Sequence, residues 1–99
     1  MMTTRYVTRR VSLLNKNGLH LRAAALLAQT AAHFHSDVRV TCRNRVADAK
    51  SVLELLSLVA EPGSELDLEA RGPDSWMTIN AMADLILNGF SNSLERSRT

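Results

Sequence analysis

In this sequence of 99 residues, the group best placed to do chemistry is Gly18-Leu19-His20-Leu21-Arg22. A neutral imidazole is a nucleophile, and a guanidinium is a planar donor that matches phosphate oxygens. From Leu21 onward the chain reads as a helix, which puts His20 where a loop enters it. The first amides of a helix have no intrahelical partner, and the aligned peptide dipoles amount to about half a positive charge at that end. Such a position attracts anions. A phosphoryl group on His20 would meet the Leu21 and Arg22 amides, with the Arg22 side chain beside it and Gly18 allowing the turn. A histidine ahead of a helix is also an ordinary surface residue or cap, and its position alone leaves both readings open.

Other chemistry-bearing residues are less pointed. Ser51 stands at the start of a second helical stretch, where its hydroxyl would cap a free amide and Glu54, three residues on, would complete a capping box. His33 and His35 form a His-x-His pair without Cys or carboxylate ligands at a recognisable spacing, so no metal site and no cofactor is expected. Cys42 falls on the inward face of its strand and reads as a small core residue.

The elements that position these residues follow from periodicity. Val7, Val11 and Leu13 share one face of a stretch over residues 5–14, the period of two of a half-buried strand, which Asn15-Lys16-Asn17-Gly18 breaks. Leu21 to about Phe34 is a helix with its core stripe at Ala24, Leu27, Ala28, Ala31 and Phe34. Val38, Val40 and Cys42 alternate with polar residues, and Arg43-Asn44 turns into a short strand over residues 45–47. Lys50 to about Val59 is a helix apolar nearly all round, with Leu55 and Leu58 expected in the core and Leu53 and Leu56 able to face either way. Glu61-Pro62-Gly63-Ser64 stops it, and Leu66, Leu68 and Ala70 mark a fourth strand. A last helix over about 75–88 has Asp74 or Ser75 as N-cap, a stripe at Ile79, Met82, Ala83 and Ile86, Trp76 packed at its start, and Gly89 as its stop. The order is βαββαβα, an α+β open-faced two-layer sandwich with an antiparallel sheet and helices on one side.

Composition sets the bounds. The chain is 45% hydrophobic with four aromatics and one cysteine, and folding at this length removes only about 60 to 70% of the unfolded chain's surface from water. One domain over 1–99 is expected, with its core at about 6–89 and a polar, frayed tail at 91–99; any chemistry must sit at the surface. A single cysteine makes no internal disulfide, and the basic start is not followed by a signal peptide's apolar run, so the reading is cytoplasmic. No run approaches the roughly 18 apolar residues of a membrane span, and insertion is not expected. The net charge of +2 hides an asymmetry: residues 1–45 hold eight basic residues and one acid, residues 46–99 four and nine. A basic arm for nucleic acid is one reading, but four aromatics are too few to supply stacking platforms. The other is that basic and acidic strands lie side by side.

Gly-Leu-His-x-Arg followed by Ala-Ala, after a first strand and opening a first helix, resembles the phosphorylation site of the histidine-containing phosphocarrier (HPr) family of the bacterial phosphotransferase system. Ala49-Lys50-Ser51-Val52-Leu53-Glu54-Leu55 resembles that family's segment around its regulatory serine. The resemblance implies a sheet order 1-4-2-3, which would set Asp67 and Glu69 between Arg10 and Arg39. It implies a phosphocarrier rather than an enzyme: His20 takes a phosphoryl group on Nδ1 from Enzyme I, which draws it from phosphoenolpyruvate, and passes it to an EIIA-type acceptor, with Arg22 steadying it. Ser51 would be a target for a serine kinase and phosphorylase, and Leu21, Val52, Leu53 and Leu56 would dock partners. The protein would act as a monomer.

The chain departs from the family at Leu21, where Ser or Thr is usual, and at Ala23, where proline is usual. Without a side-chain oxygen Leu21 cannot cap the helix, and Ala23 lacks the fixed backbone angle of proline. Gln29 and Ala32 stand where the family often has lysines facing Enzyme I. These departures suggest the alternative of a divergent paralogue that binds and regulates another protein according to its phosphorylation state.

Overall fold

The computed structural model describes residues 5–91. Beyond Ser91, the expected polar tail lies outside the described residues. The chain forms β1 (Tyr6–Ser12), α1 (Leu21–Ala32), β2 (Asp37–Cys42), β3 (Arg45–Asp48), α2 (Val52–Ser57), β4 (Glu65–Arg71) and α3 (Ser75–Leu87). The strands make one antiparallel sheet in the order β1-β4-β2-β3, as the resemblance implied.

One face of the sheet is apolar because the strands alternate. Val11, Val38, Val40, Cys42, Ala47, Leu66, Leu68 and Ala70 are buried, and against them lie Ala24, Leu27, Ala28 and Ala31 of α1, Leu55 of α2, and Ile79, Met82, Ala83 and Ile86 of α3. Each fully buried leucine or isoleucine contributes about 1.5 to 3 kcal/mol relative to exposure. Alanine dominates the α1 stripe, so this helix can lie close to its neighbours. The opposite face is polar and self-neutralising. Arg10 lies opposite Asp67, and Arg39 opposite Glu69 on one side and Asp48 on the other. Arg10 Nε donates to Asp67 Oδ1 at 2.8 Å, and that hydrogen bond holds the Asp67 carboxyl below the usual carboxylate range. The charge asymmetry is thus resolved within the sheet, because β4 carries the acids and its neighbours β1 and β2 carry the arginines.

Three expectations shift at element ends. The first helix stops at Ala32 rather than near Phe34, and Phe34 is half-buried beyond it. The second helix is shorter than 50–59, because Asp48 Oδ1 accepts from the Lys50 amide at 2.9 Å and the turn it makes delays helix entry to Val52. Trp76 is 65% exposed instead of packed, since Ser75 and Thr78 take the inward positions of the first turn of α3.

Asp74 is the N-cap of α3, but its carboxylate makes no cap bond to that helix. It reaches across to the α1–β2 corner, accepting from the His35 amide at 2.8 Å, the Ser36 amide at 2.9 Å and the Ser36 hydroxyl at 2.6 Å. Gly72 makes room for this corner: a Cβ there would stand 2.7 Å from Ser36 Oγ. The Ser36 hydroxyl, and after it the His35 amide, hold the Asp74 carboxyl at about 2, below the ordinary 3.8. A carboxyl lowered on folding adds stability above its unfolded value and loses it as pH falls through the folded one. Between pH 4 and pH 2 the wild-type chain therefore loses stability that Asp74→Asn lacks at every pH. Urea titrations of both across that window should converge toward pH 2, and parallel curves would remove the carboxylate from the account.

Candidate functional site

The loop from β1 to α1 is held by main-chain bonds to the segment that follows α2. The Leu13 amide donates to Ser64 O at 2.8 Å, the Gly63 amide to Leu13 O at 2.7 Å, and the Leu19 amide to Ala60 O at 2.9 Å. Gly18 adopts φ +66°, and a Cβ there would lie 2.6 Å from the Ala60 carbonyl oxygen. Glycine is needed twice over, for the left-handed backbone and for the close approach. Within the loop, the Gly18 amide donates to Asn15 O at 3.2 Å and Asn15 Nδ2 donates to Gly18 O at 2.7 Å.

His20 follows this clamp as the N-cap of α1, in extended backbone at φ −81° and ψ −179°. Its carbonyl accepts the first helical bond, from the Ala24 amide at 2.8 Å, while its half-buried side chain makes no cap bond. The cap position is therefore His20 itself and not Leu21, which corrects the expectation that Leu21 forgoes the cap. Leu21 is the first helical residue and is 64% exposed; Arg22 follows it, also exposed. Ala23 is fully buried under this first turn.

The helix α2 packs beside α1, and its sequence divides as its short length requires. Leu55 and Leu58 are in the core, Val52 and Leu56 are half-buried, and Leu53 is 80% exposed. Leu21 and Leu53 are thus the outward members of the predicted docking group. Ser51 caps α2, its hydroxyl accepting from the Glu54 amide at 3.2 Å. The capping box is only half formed: the Glu54 carboxylate accepts from the Asp48 amide at 2.9 Å, while the Ser51 amide donates to Asp48 O. The Asp48–Lys50 turn brings the Asp48 amide round to the glutamate. At the other end of α2, Val59 takes φ +51°, a left-handed conformation costly for a β-branched residue, and is 66% exposed.

The remaining chemistry-bearing residues stand elsewhere. His33 Nδ1 bonds the Gln29 carbonyl oxygen at 2.8 Å in the last turn of α1, and Cys42 is buried in β2. Among the described residues no group of three or more His, Cys, Asp or Glu gathers to hold a metal, and no helix is long and apolar enough to cross a membrane.

Comparison with known proteins gives the family. The family model of the PTS HPr component phosphorylation site matches residues 7–88. The chain belongs to the HPr family. The phosphocarrier protein HPr of Cupriavidus necator is 42% identical over 82 residues, covering 83% of this chain and 92% of that one. HPr-C-His from Thermoanaerobacter tengcongensis superposes with a TM-score of 0.80 at 38% identity, over 90% of this chain and 98% of the other. HPr from Bacillus anthracis gives 0.79 at 33% identity, over 82% and 96%. The protein is a phosphocarrier of the phosphotransferase system, and nothing in these likenesses favours the regulatory alternative.

The sequence places Asn15 in the break after the first strand and gives Ala60 no role; the structure makes both partners of the His20 loop. The Asn-x-x-Gly spacing was the one available signal for the first, and no signal marked the second. Gly18→Ala should lower the unfolding free energy by about 2 kcal/mol or more, through left-handed strain and the blocked approach to Ala60. Val59→Gly should raise it by about 1 kcal/mol by relieving strain at an exposed site. Urea denaturation checks both, and an unchanged Gly18→Ala midpoint would contradict the contact.

Proposed function

We propose that His20 is the residue that carries the phosphoryl group. The observation that supports this most is its position: a half-exposed imidazole at the N-cap of α1, one residue past a clamped loop and two residues before Arg22. The Nδ1 lone pair attacks phosphorus on a phosphohistidine of Enzyme I. The new P–N bond forms as the donor's P–N bond breaks, and the donor ring keeps that electron pair. The transferred oxygens then meet the amides at the start of α1, and the Arg22 guanidinium steadies them. Transfer onward to an EIIA-type acceptor repeats the exchange in the same sense. A relay needs only modest stabilisation of its cargo, since a deep well would trap it, and a shallow site between solvent and a helix end suits that.

Both partners dock on Leu21 and Leu53, with the half-buried Val52 and Leu56 beneath, and the carrier works as a cytoplasmic monomer without a cofactor or metal. Ser51 is the site at which a serine kinase, opposed by a phosphorylase, turns docking down. A phosphate there adds nearly two negative charges at a helix N-terminus, which that helix tolerates, beside leucines whose partner must approach closely.

Incubation with labelled phosphoenolpyruvate and Enzyme I should label the chain with an acid-labile, base-stable phosphate. His20→Ala should take no label, and equal labelling of this variant would end the assignment. Arg22→Ala should fold normally by circular dichroism and exchange phosphate about tenfold more slowly in rapid-quench measurements.

A further inference from the structure

We infer that Asn15 is a positioning residue for phosphoryl transfer, its carboxamide locking the Gly18–Leu19 peptide from which His20 projects. This rests on the reading of His20 as the phosphoacceptor. The peptide between Gly18 and Leu19 is bonded at both ends: its carbonyl accepts from Asn15 Nδ2 at 2.7 Å, and its N–H donates to Ala60 O at 2.9 Å. A planar peptide held at both groups cannot turn about its flanking bonds. Leu19 is 5% exposed, so its side chain is pinned in the core as well. The next residue is His20, in extended backbone at the N-cap of α1.

The second observation concerns the other atom of the carboxamide. Asn15 Oδ1 is buried and has no hydrogen-bond partner among the described residues. An unpaired buried acceptor is unfavourable, and a side chain lacking it would avoid that penalty. Among the described residues the single side-chain bond that Asn15 makes runs to the His20 loop, so what the carboxamide contributes is the orientation of that loop. Reacting groups misplaced by about 1 Å lose much of their rate, even when the change lies outside the reacting atoms.

The test is the steady-state phosphorylation of the full chain by Enzyme I and phosphoenolpyruvate, with this chain as the varied substrate. Asn15→Ala removes the clamp; Asn15→Asp keeps its shape and sets a carboxylate, with no proton to donate, against the Gly18 carbonyl. At a temperature where circular dichroism finds each variant folded, kcat should fall about tenfold in both. KM should stay within about twofold, since docking residues are untouched. Asp74→Asn, destabilised at a corner remote from the loop, should keep wild-type kcat and KM. Wild-type kcat in both Asn15 variants, or an equal fall in Asp74→Asn, would overturn the role of Asn15. A wild-type chain that takes no label on His20 would instead overturn the underlying assignment, and this inference with it.

Discussion

Three main-chain hydrogen bonds between the β1–α1 loop and the segment after α2 hold together the end of the molecule that carries His20. Leu13 exchanges bonds with Gly63 and Ser64, and Leu19 donates to Ala60. Without them a loop of this length would be free to sample many shapes, and ordering it only when a partner arrives would cost about 1 to 2 kcal/mol per residue. The seam also explains why α2 is short. The chain must leave the helix at Leu58, take a left-handed step at Val59 and present Ala60 to the loop, which leaves six residues for the helix itself. The strain at Val59 is one consequence of that route.

Charge is arranged so that it stays out of the way. The sheet carries arginines and carboxylates in register on its open face, where Arg10 with Asp67 and Arg71 with Glu69 neutralise each other close to solvent. Exposed pairs of this kind add little stability. Arg10 of β1 meets Glu65 and Asp67 of β4, so part of the opposite charge of the two halves of the chain is offset on this open face. Gln29 and Ala32 put no positive charge at their exposed positions on α1.

Several features were legible in the residues alone because they depend on near neighbours. Alternation placed β1, β2 and β4, the Arg43-Asn44 turn placed β3, the alanine and leucine stripe placed α1, and Leu55 and Leu58 fell in the core as their spacing required. The segment around His20 could be read as a phosphate-binding helix entry, since the helix-end amides follow from backbone geometry whatever the surroundings. Where reading by neighbours failed, a distant group had intervened. Glu54 faced a choice between the Ser51 amide and the Asp48 amide, and the hairpin decided it. Trp76 matched a packing position on its helix but had nothing laid over it.

What the sequence by itself determined was therefore the list of elements, the burial stripe of each, and the chemistry available at residues 18–22, all consequences of periods and turn residues only a few positions long. What the tertiary structure alone decided was the company those residues keep: Ala60 against Gly18 and Asp74 against Ser36. Each of these joins segments about forty residues apart and depends on how whole elements stack. Side-chain period carries no information about which distant backbone group will be left facing an unpaired amide once the core has closed.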